Sequence, residues 1–408
     1  MHTIALITYD ISPYRGSEAS VSWNYVWNMR HTNKLIVIYG KGKKEIERFI
    51  AENGSVENVE FVNNPVETVA GKGIMIMMDI KYNLAYRRWH LRTYEMVRKM
   101  VDEGSVDLIH YLNPIGFKEP GFFWKITSVP YMWGPIQGVE NRPFELYRAL
   151  SLKGKCNAFA RRIVHNGLFI LMPRLKKALK RVDVVFAATP NTVKNLKRWY
   201  HKDSVYLPEN GIMQMERATP IKYDGGVLRL IWIGGVCERK ALVILLDALS
   251  KVGGARWHLD VLGDGDQREK LQKEFSQLND RITWHGMVDR TSVQEVLLQS
   301  HLHVISSLGE GNPTILWEAF GKAIPTLTLD HCGMAGVVCE KCGIKIPIRS
   351  YDQVVDDMAD RIKEILDKPY IIERLSAGTI ECAKKFMWSN RIGLYNETYD
   401  KLIKSYRK

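Results

Sequence analysis

The stretch of this sequence richest in possible chemistry is Ser306-Ser307-Leu308-Gly309-Glu310-Gly311-Asn312-Pro313-Thr314-Ile315-Leu316-Trp317-Glu318. Small polar residues end a strand-like run, a glycine-flanked acid follows, Asn312 has a capping side chain, and Pro313 suits a first helical turn. Glu318 lies about a turn and a half further on. Two carboxylates are thus expected at one helix N-terminus, whose exposed amides favour phosphate oxygens. A carboxylate also accepts two hydrogen bonds from a sugar diol. The same residues equally fit a dipole-stabilising Glu318 and a solvated loop acid at Glu310. A second turn, Ile233-Gly234-Gly235-Val236-Cys237-Glu238-Arg239-Lys240, offers two cations that would stabilise a departing anion without a metal. Cations at a helix start oppose the helix dipole, which disfavours a purely solvated role. His110 ends the strand-like Leu108-Ile109 and is expected to point out toward a ligand. Gly16 and Ser17, after the first strand, would let backbone amides approach an anion, with Glu18 opening the next helix.

Strands must position these turns. Short apolar, β-branched runs at Ile4–Thr8, Leu35–Tyr39, Val59–Val62, Leu108–Tyr111, Val129–Trp133, Val184–Ala187 and Val205–Leu207 alternate with helix-like stretches. Unbroken strands of this kind predict a parallel sheet covered on both faces. After the polar stretch Pro208–Gly226 the pattern restarts at Leu228–Ile233, Trp257–Leu262, Arg281–His285, Leu302–Ser306 and Pro325–Leu327, with helix-like segments at 238–251, 266–277 and 313–321. The expected fold is α/β, two doubly wound Rossmann-like domains facing a central cleft. The expected boundaries are 1–208, a linker at 209–226, 227–385, and a helix at 386–408 returning to the first domain. Neither turn contains Gly-x-Gly-x-x-Gly or a P-loop, which argues against nicotinamide chemistry and ATPase activity.

A chain of 408 residues with 46% apolar and 25% charged residues is neither disordered nor a disulfide scaffold. Apolar runs such as Gly167–Pro173 and Ala241–Leu246 fall far short of the roughly 20 residues a bilayer span needs. No signal-peptide pattern opens the sequence, so a cytoplasmic address is expected. Six cysteines fit a reducing compartment. Cys332, Cys339 and Cys342 cluster beside His331, but one Cys-x-x-Cys lacks a second half-site, and no metal is expected.

The net charge of +13 is concentrated: residues 1–220 hold 32 Lys and Arg against 20 Asp and Glu, a net of +12. Lys153–Arg181 holds nine basic residues and no acid, interleaved with apolar ones. Arg174, Lys176, Lys177, Lys180 and Arg181 are therefore expected to face an anionic membrane surface. No nucleic-acid-binding signature accompanies the charge.

The Glu310-x7-Glu318 spacing, followed by Ala319-Phe320-Gly321-Lys322-Ala323-Ile324-Pro325, resembles the family-4 retaining glycosyltransferases of the GT-B fold. Supporting pieces, in family order, are Gly16-Ser17-Glu18, Asp107-Leu108-Ile109-His110, Trp133-Gly134-Pro135-Ile136-Gln137-Gly138, Ala188-Thr189-Pro190, Pro208-Glu209-Asn210-Gly211, Arg239-Lys240, Leu262-Gly263-Asp264-Gly265 and Trp284-His285-Gly286. The resemblance implies a retaining, metal-independent transfer from a nucleotide diphosphate sugar, UDP favoured over GDP, to a sugar hydroxyl of a lipid-linked acceptor in bacterial surface polysaccharide assembly. It implies donor binding by Gly16, Ser17, Gly234, Gly311, Asn312, Pro313, Thr314 and Glu318, the last on the ribose. Catalytic roles fall to His110, Glu310, Arg239 and Lys240, with the two cations on the diphosphate. No side-chain base is required, because a leaving phosphate oxygen takes the acceptor's proton. The chain departs from the pattern at Gly235, where an Arg is common, at Ala241, where a Gly is common, and at His110-Tyr111-Leu112, where relatives show His-x-His. A same-fold epimerase or sugar phosphorylase, and a non-catalytic peripheral membrane protein, remain as alternatives.

Overall fold

Aliphatic and β-branched runs form parallel strands twice over, and the chain divides into two units. The computed structural model describes residues 1–16, 18–67, 80–254 and 256–407, with the side chains of 80–82 left aside. The first unit comprises Met1–Val139, Asn166–Asn210 and Trp388–Lys408; the second comprises Glu140–His165 and Gly211–Met387.

In the first unit, strands β1 (Thr3–Asp10), β2 (Lys34–Lys41), β3 (Val59–Asn63), β4 (Leu108–Asn113), β5 (Tyr131–Ile136), β6 (Val184–Ala187) and β7 (Val205–Tyr206) pair in the order β3-β2-β1-β4-β5-β6-β7. Every pairing is parallel. Helices α1 (Glu18–Met29), α2 (Lys43–Asn53), α3 (Ile80–Asp102), α4 (Leu152–Leu171), α5 (Pro173–Arg181) and α6 (Pro190–Tyr200) occur along this part of the chain, and α4 runs from one unit into the other. The sheet's two faces are covered by separate apolar clusters, one built around Trp89, Tyr111 and Trp133, the other around Tyr25, Met132 and Phe186.

In the second unit, β8 (Leu228–Ile233), β9 (Trp257–Leu262), β10 (Ile282–Gly286), β11 (Leu302–Ile305), β12 (Thr326–Leu329) and β13 (Gly343–Ile346) pair as β10-β9-β8-β11-β12-β13, again all parallel. Its helices are α7 (Leu242–Val252), α8 (Arg268–Glu274), α9 (Arg290–Gln299), α10 (Thr314–Gly321), α11 (Met334–Val337), α12 (Tyr351–Asp367) and α13 (Tyr370–Ala383). The order reverses between β8 and β11, and the loops following those two strands flank the reversal, where a doubly wound sheet opens a ligand crevice. Strand β13 was absent from the expectation because Gly343–Ile346 is short and follows a Cys- and Lys-rich loop.

The last helix, α14 (Trp388–Tyr406), packs into the first unit through Trp388, Tyr395, Tyr399 and Ile403, and Arg391 donates to the Pro208 carbonyl at 2.7 Å. Two boundaries differ from expectation. Residues 140–165 belong to the second unit, where Leu146, Leu150 and Ala158 join the core. Much of the expected linker also packs there, with Ile221 buried and its N–H donating to Ser376 Oγ at 2.8 Å.

Candidate active site

The loops after β8 and β11 are knitted together. The Leu308 N–H donates to the Arg239 carbonyl at 2.9 Å, and Ser306 Oγ, which accepts from the Trp232 indole at 3.1 Å, donates to the Lys240 carbonyl at 3.0 Å. This lacing carries Arg239 and Lys240 to Glu310. Lys240 Nζ lies 3.0 Å from Glu310 Oε1, and the Arg239 guanidinium pairs with the same oxygen. Glycines make the approach possible: a Cβ on Gly263 would stand 2.0 Å from the Gly234 carbonyl, and one on Gly234 would press on the Lys240 side chain at 3.2 Å.

The two cations lie in the turn ahead of α7, not in its first helical turn, because Ala241 is left-handed at φ 46° and the helix starts at Leu242. Lys240 is nearly buried. Burial, then the neighbouring Arg239, pushes its pKa down to about 8.

Two further cations were missed in the sequence. Arg142 is half-buried, its Cγ lies 4.0 Å from where a Cβ of Gly309 would stand, and its pKa is lowered by desolvation and then by Arg239. Arg161, exposed on α4, feels both Arg142 and Arg239. Neither makes an ion pair or hydrogen bond among the described residues, and the carboxylate nearest in effect to Arg142 is Glu238. Glu238 accepts from the Ser151 N–H at 3.1 Å, which fastens the 140–165 segment to this loop. Some 97 residues of sequence separate Arg142 from Arg239, so no local motif could reveal the cluster.

Pro313 occupies the cap position of α10, which begins at Thr314; Asn312, expected to cap, makes no such bond. Asn312 is instead buried at 7% exposure, and Gly311 is held where a Cβ on Gly333 would meet its carbonyl at 1.7 Å. Glu318 accepts from Gln294 Nε2 at 2.5 Å and has Arg290 3.8 Å away. Glu310 and Glu318 both belong to the second unit, one before α10 and one within it.

The structure corrects His110. Its ring is fully buried in the first unit, with Nδ1 2.7 Å from Tyr399 Oη and 3.2 Å from Tyr25 Oη, and Nε2 2.7 Å from the Gly134 carbonyl. Burial pushes its pKa down to about 4, so it is a neutral core residue. The reason is period-two alternation along β4, which turns position 110 onto the face covered by α1 and α14. Gly16 has open space around its α-carbon, and Glu18 begins α1 as expected; Ser17 lies outside the described residues.

Two of the five cations expected to face a membrane are also turned inward. Arg174 pairs with Glu119, donates to the Gly121 carbonyl at 2.9 Å and covers the Phe122 ring; Arg181 pairs with Asp183 at 3.0 Å and donates to the carbonyls of Ile126 and Val129. Lys176, Lys177 and Lys180 are exposed. Phe159, Ile163 and Leu171 of α4 are also exposed, and no described helix is long and apolar enough to cross a membrane.

Residues 228–368 match the family model described as glycosyl transferases group 1. Over 141 residues the chain is 32% identical to the lipopolysaccharide 1,6-galactosyltransferase of Escherichia coli K12, covering 33% of this chain and 39% of that protein. It is 25% identical over 259 residues to an uncharacterised glycosyltransferase of Methanocaldococcus jannaschii, covering 62% of this chain and 63% of the other. The chain thus matches less than two thirds of the length of either relative. Among solved structures, the lipopolysaccharide outer core galactosyltransferase WaaB aligns with TM-score 0.66 at 16% identity over 98% of this chain and 100% of that one. Anabaena HepE, solved with UDP and glucose, aligns with TM-score 0.60 at 11% identity over 98% and 100%. The fold is that of GT-B glycosyltransferases: two Rossmann-like α/β units with parallel sheets.

Proposed function

We propose that the protein is a retaining glycosyltransferase that moves a sugar from a nucleotide diphosphate donor, UDP favoured over GDP, to a hydroxyl of a lipid-linked sugar acceptor in surface polysaccharide assembly. The observation that carries this reading is the cation cluster at the β8/β11 reversal. Arg142, Arg161, Arg239 and Lys240 gather there, with Glu310 and Glu238 as the neighbouring carboxylates. Four cations against two carboxylates leave an excess that a diphosphate, with a negative charge on each phosphate, would balance.

In this reading Arg239 and Lys240 exchange their grip on Glu310 for the diphosphate and stabilise the leaving nucleotide as its charge grows. Glu310, so released, addresses the donor sugar together with the Gly311-Asn312-Pro313 backbone. Glu318, whose carboxylate retains acceptor capacity beside its bond to Gln294, holds the ribose diol. A leaving phosphate oxygen takes the acceptor's proton, so the fixed cations serve where other transferases use a metal ion. The two galactosyltransferase matches support a sugar acceptor of the lipopolysaccharide kind, and HepE's UDP supports the choice of base. Exposed Lys176, Lys177 and Lys180, with exposed apolar residues on α4, support peripheral attachment to the cytoplasmic leaflet.

The test is calorimetric titration with UDP and GDP, followed by incubation with UDP-sugars with and without a sugar acceptor. UDP should bind and be released from its sugar only when acceptor is present, without added Mg²⁺ or Mn²⁺ and with retained anomeric configuration. Release without acceptor, or no binding of either nucleotide, would sink the reading.

A further inference from the structure

Three thiols that the proposed reaction does not use meet in the second unit. Cys339 and Cys342 belong to a Cys-Glu-Lys-Cys-Gly turn just ahead of β13, and Cys382 reaches them from the last turn of α13. Cys339 Sγ lies 3.6 Å from Cys342 Sγ and 3.3 Å from Cys382 Sγ, and all three sulfurs lie within 4.8 Å of one another. A tetrahedral ion with metal–sulfur bonds of about 2.3 Å holds its sulfurs about 3.8 Å apart, so the observed triangle needs only small adjustments. The sequence grouped Cys332 with this pair; the structure instead seats Cys332 against His331 and brings in Cys382 from 40 residues beyond Cys342.

The surroundings are shaped to hold the turn. The Cys339 N–H donates to Cys342 Sγ at 3.2 Å, while the N–H groups of Cys342 and Gly343 both donate to the Cys339 carbonyl at 3.0 Å. Helix α13 sits directly on it: Thr379 Oγ1 donates to the Cys342 carbonyl at 3.1 Å, and a Cβ on Gly378 would stand 1.9 Å from the Lys341 carbonyl. A surface groove lined by Glu340, Lys341, Glu381 and Lys385 opens beside Cys339 and Cys382, giving an entry path.

We propose that Cys339, Cys342 and Cys382 bind one thiophilic divalent cation of the zinc class, with solvent from the adjoining groove completing its coordination. The ion would staple α13 to the turn before β13, and each ligating thiol would release its proton. This role is structural and independent of the transfer reaction.

The experiment uses the full chain, reduced and stripped with chelator, titrated with Co²⁺ and then Zn²⁺. One equivalent of Co²⁺ should give a thiolate-to-metal charge-transfer band, Zn²⁺ should displace it, and Zn²⁺ should raise the Tm, since a ligand of the native state alone stabilises it. Cys339→Ser and Cys382→Ala should each lose the band, whereas Cys332→Ser should keep it. The proposal fails if reduced wild-type protein shows neither band nor Tm shift, or if Cys382→Ala binds as wild type does. A Cys339–Cys382 disulfide in protein that binds no metal after reduction would also overturn it.

Discussion

Lys240 sits under opposing demands: burial and Arg239 disfavour its charge, while the diphosphate proposed as its partner would require it. With its pKa lowered to about 8, Lys240 loses its proton as pH rises through that value. We expect kcat/KM, which reports free-enzyme groups, to fall above about pH 8, and Lys240→Arg to move that limb upward because guanidinium keeps its charge. A limb unmoved in Lys240→Arg would assign the titration elsewhere. Arg142 offers a second check. Arg142→Ala should weaken nucleoside diphosphate binding by about 1.5–3 kcal/mol, the loss of a charge-assisted contact, without lowering thermal stability, since no protein partner is left unpaired. The two glutamates should separate: Glu318→Ala should weaken nucleotide binding in calorimetry, and Glu310→Ala should leave it nearly intact while cutting transfer. Equal nucleotide affinity in both variants would refute the ribose assignment.

At the level of elements, the turn from β8 into α7 carries backbone strain at Ala241, whose left-handed φ of 46° suits glycine. Such a conformation costs an alanine about 1–2 kcal/mol, partly offset in a glycine variant by its greater unfolded-state freedom of about 0.4–1 kcal/mol. Ala241→Gly should therefore raise the urea midpoint by up to about 1 kcal/mol of stability with unchanged m-value; a fall would show that the alanine's packing outweighs its strain. His110 binds elements of a different kind, joining β4, α1, α14 and the Gly134 carbonyl in one buried network. Its three partners explain why a histidine sits fully buried in the middle of β4.

On the scale of the molecule, buried neutral histidines set the acid limit. Burial pushes His90 and His110 down to about 4 and His303 to about 3. The unfolded chain, with ordinary values near 6.5, then binds more protons than the folded one between about pH 6.5 and 3. Stability should be full above pH 6.5 and fall by a few kcal/mol per histidine as pH drops through that window, measurable by denaturant titration; a flat profile from pH 7 to 4 would contradict their burial. Surface charge makes the other whole-molecule prediction. The protein should sediment with anionic but not neutral vesicles, salt should release it, and Lys176, Lys177 and Lys180 changed together to Gln should weaken sedimentation, each lysine contributing about 1 kcal/mol. Arg174→Gln and Arg181→Gln should instead lower the Tm, since both hold loops of the first unit. Sedimentation unaffected by the triple change would remove the membrane from this surface.

The α/β class, the restart of the strand pattern near residue 228 and the two polar turns that carry Arg239-Lys240 and Glu310 were legible in the amino-acid order, because local strand propensity and turn chemistry act over a few residues. Tertiary structure alone decided the rest. Residues 140–165 join the second unit because Leu146, Leu150 and Ala158 find their apolar partners there, and that docking delivers Arg142. His110 turns inward because α14, almost 300 residues later, supplies Tyr399. Cys382 reaches Cys339 because Gly378 lets a helix settle on a turn. Each of these depends on segments far apart in sequence that meet only when apolar faces are buried, a cooperative outcome that no window of neighbouring residues contains.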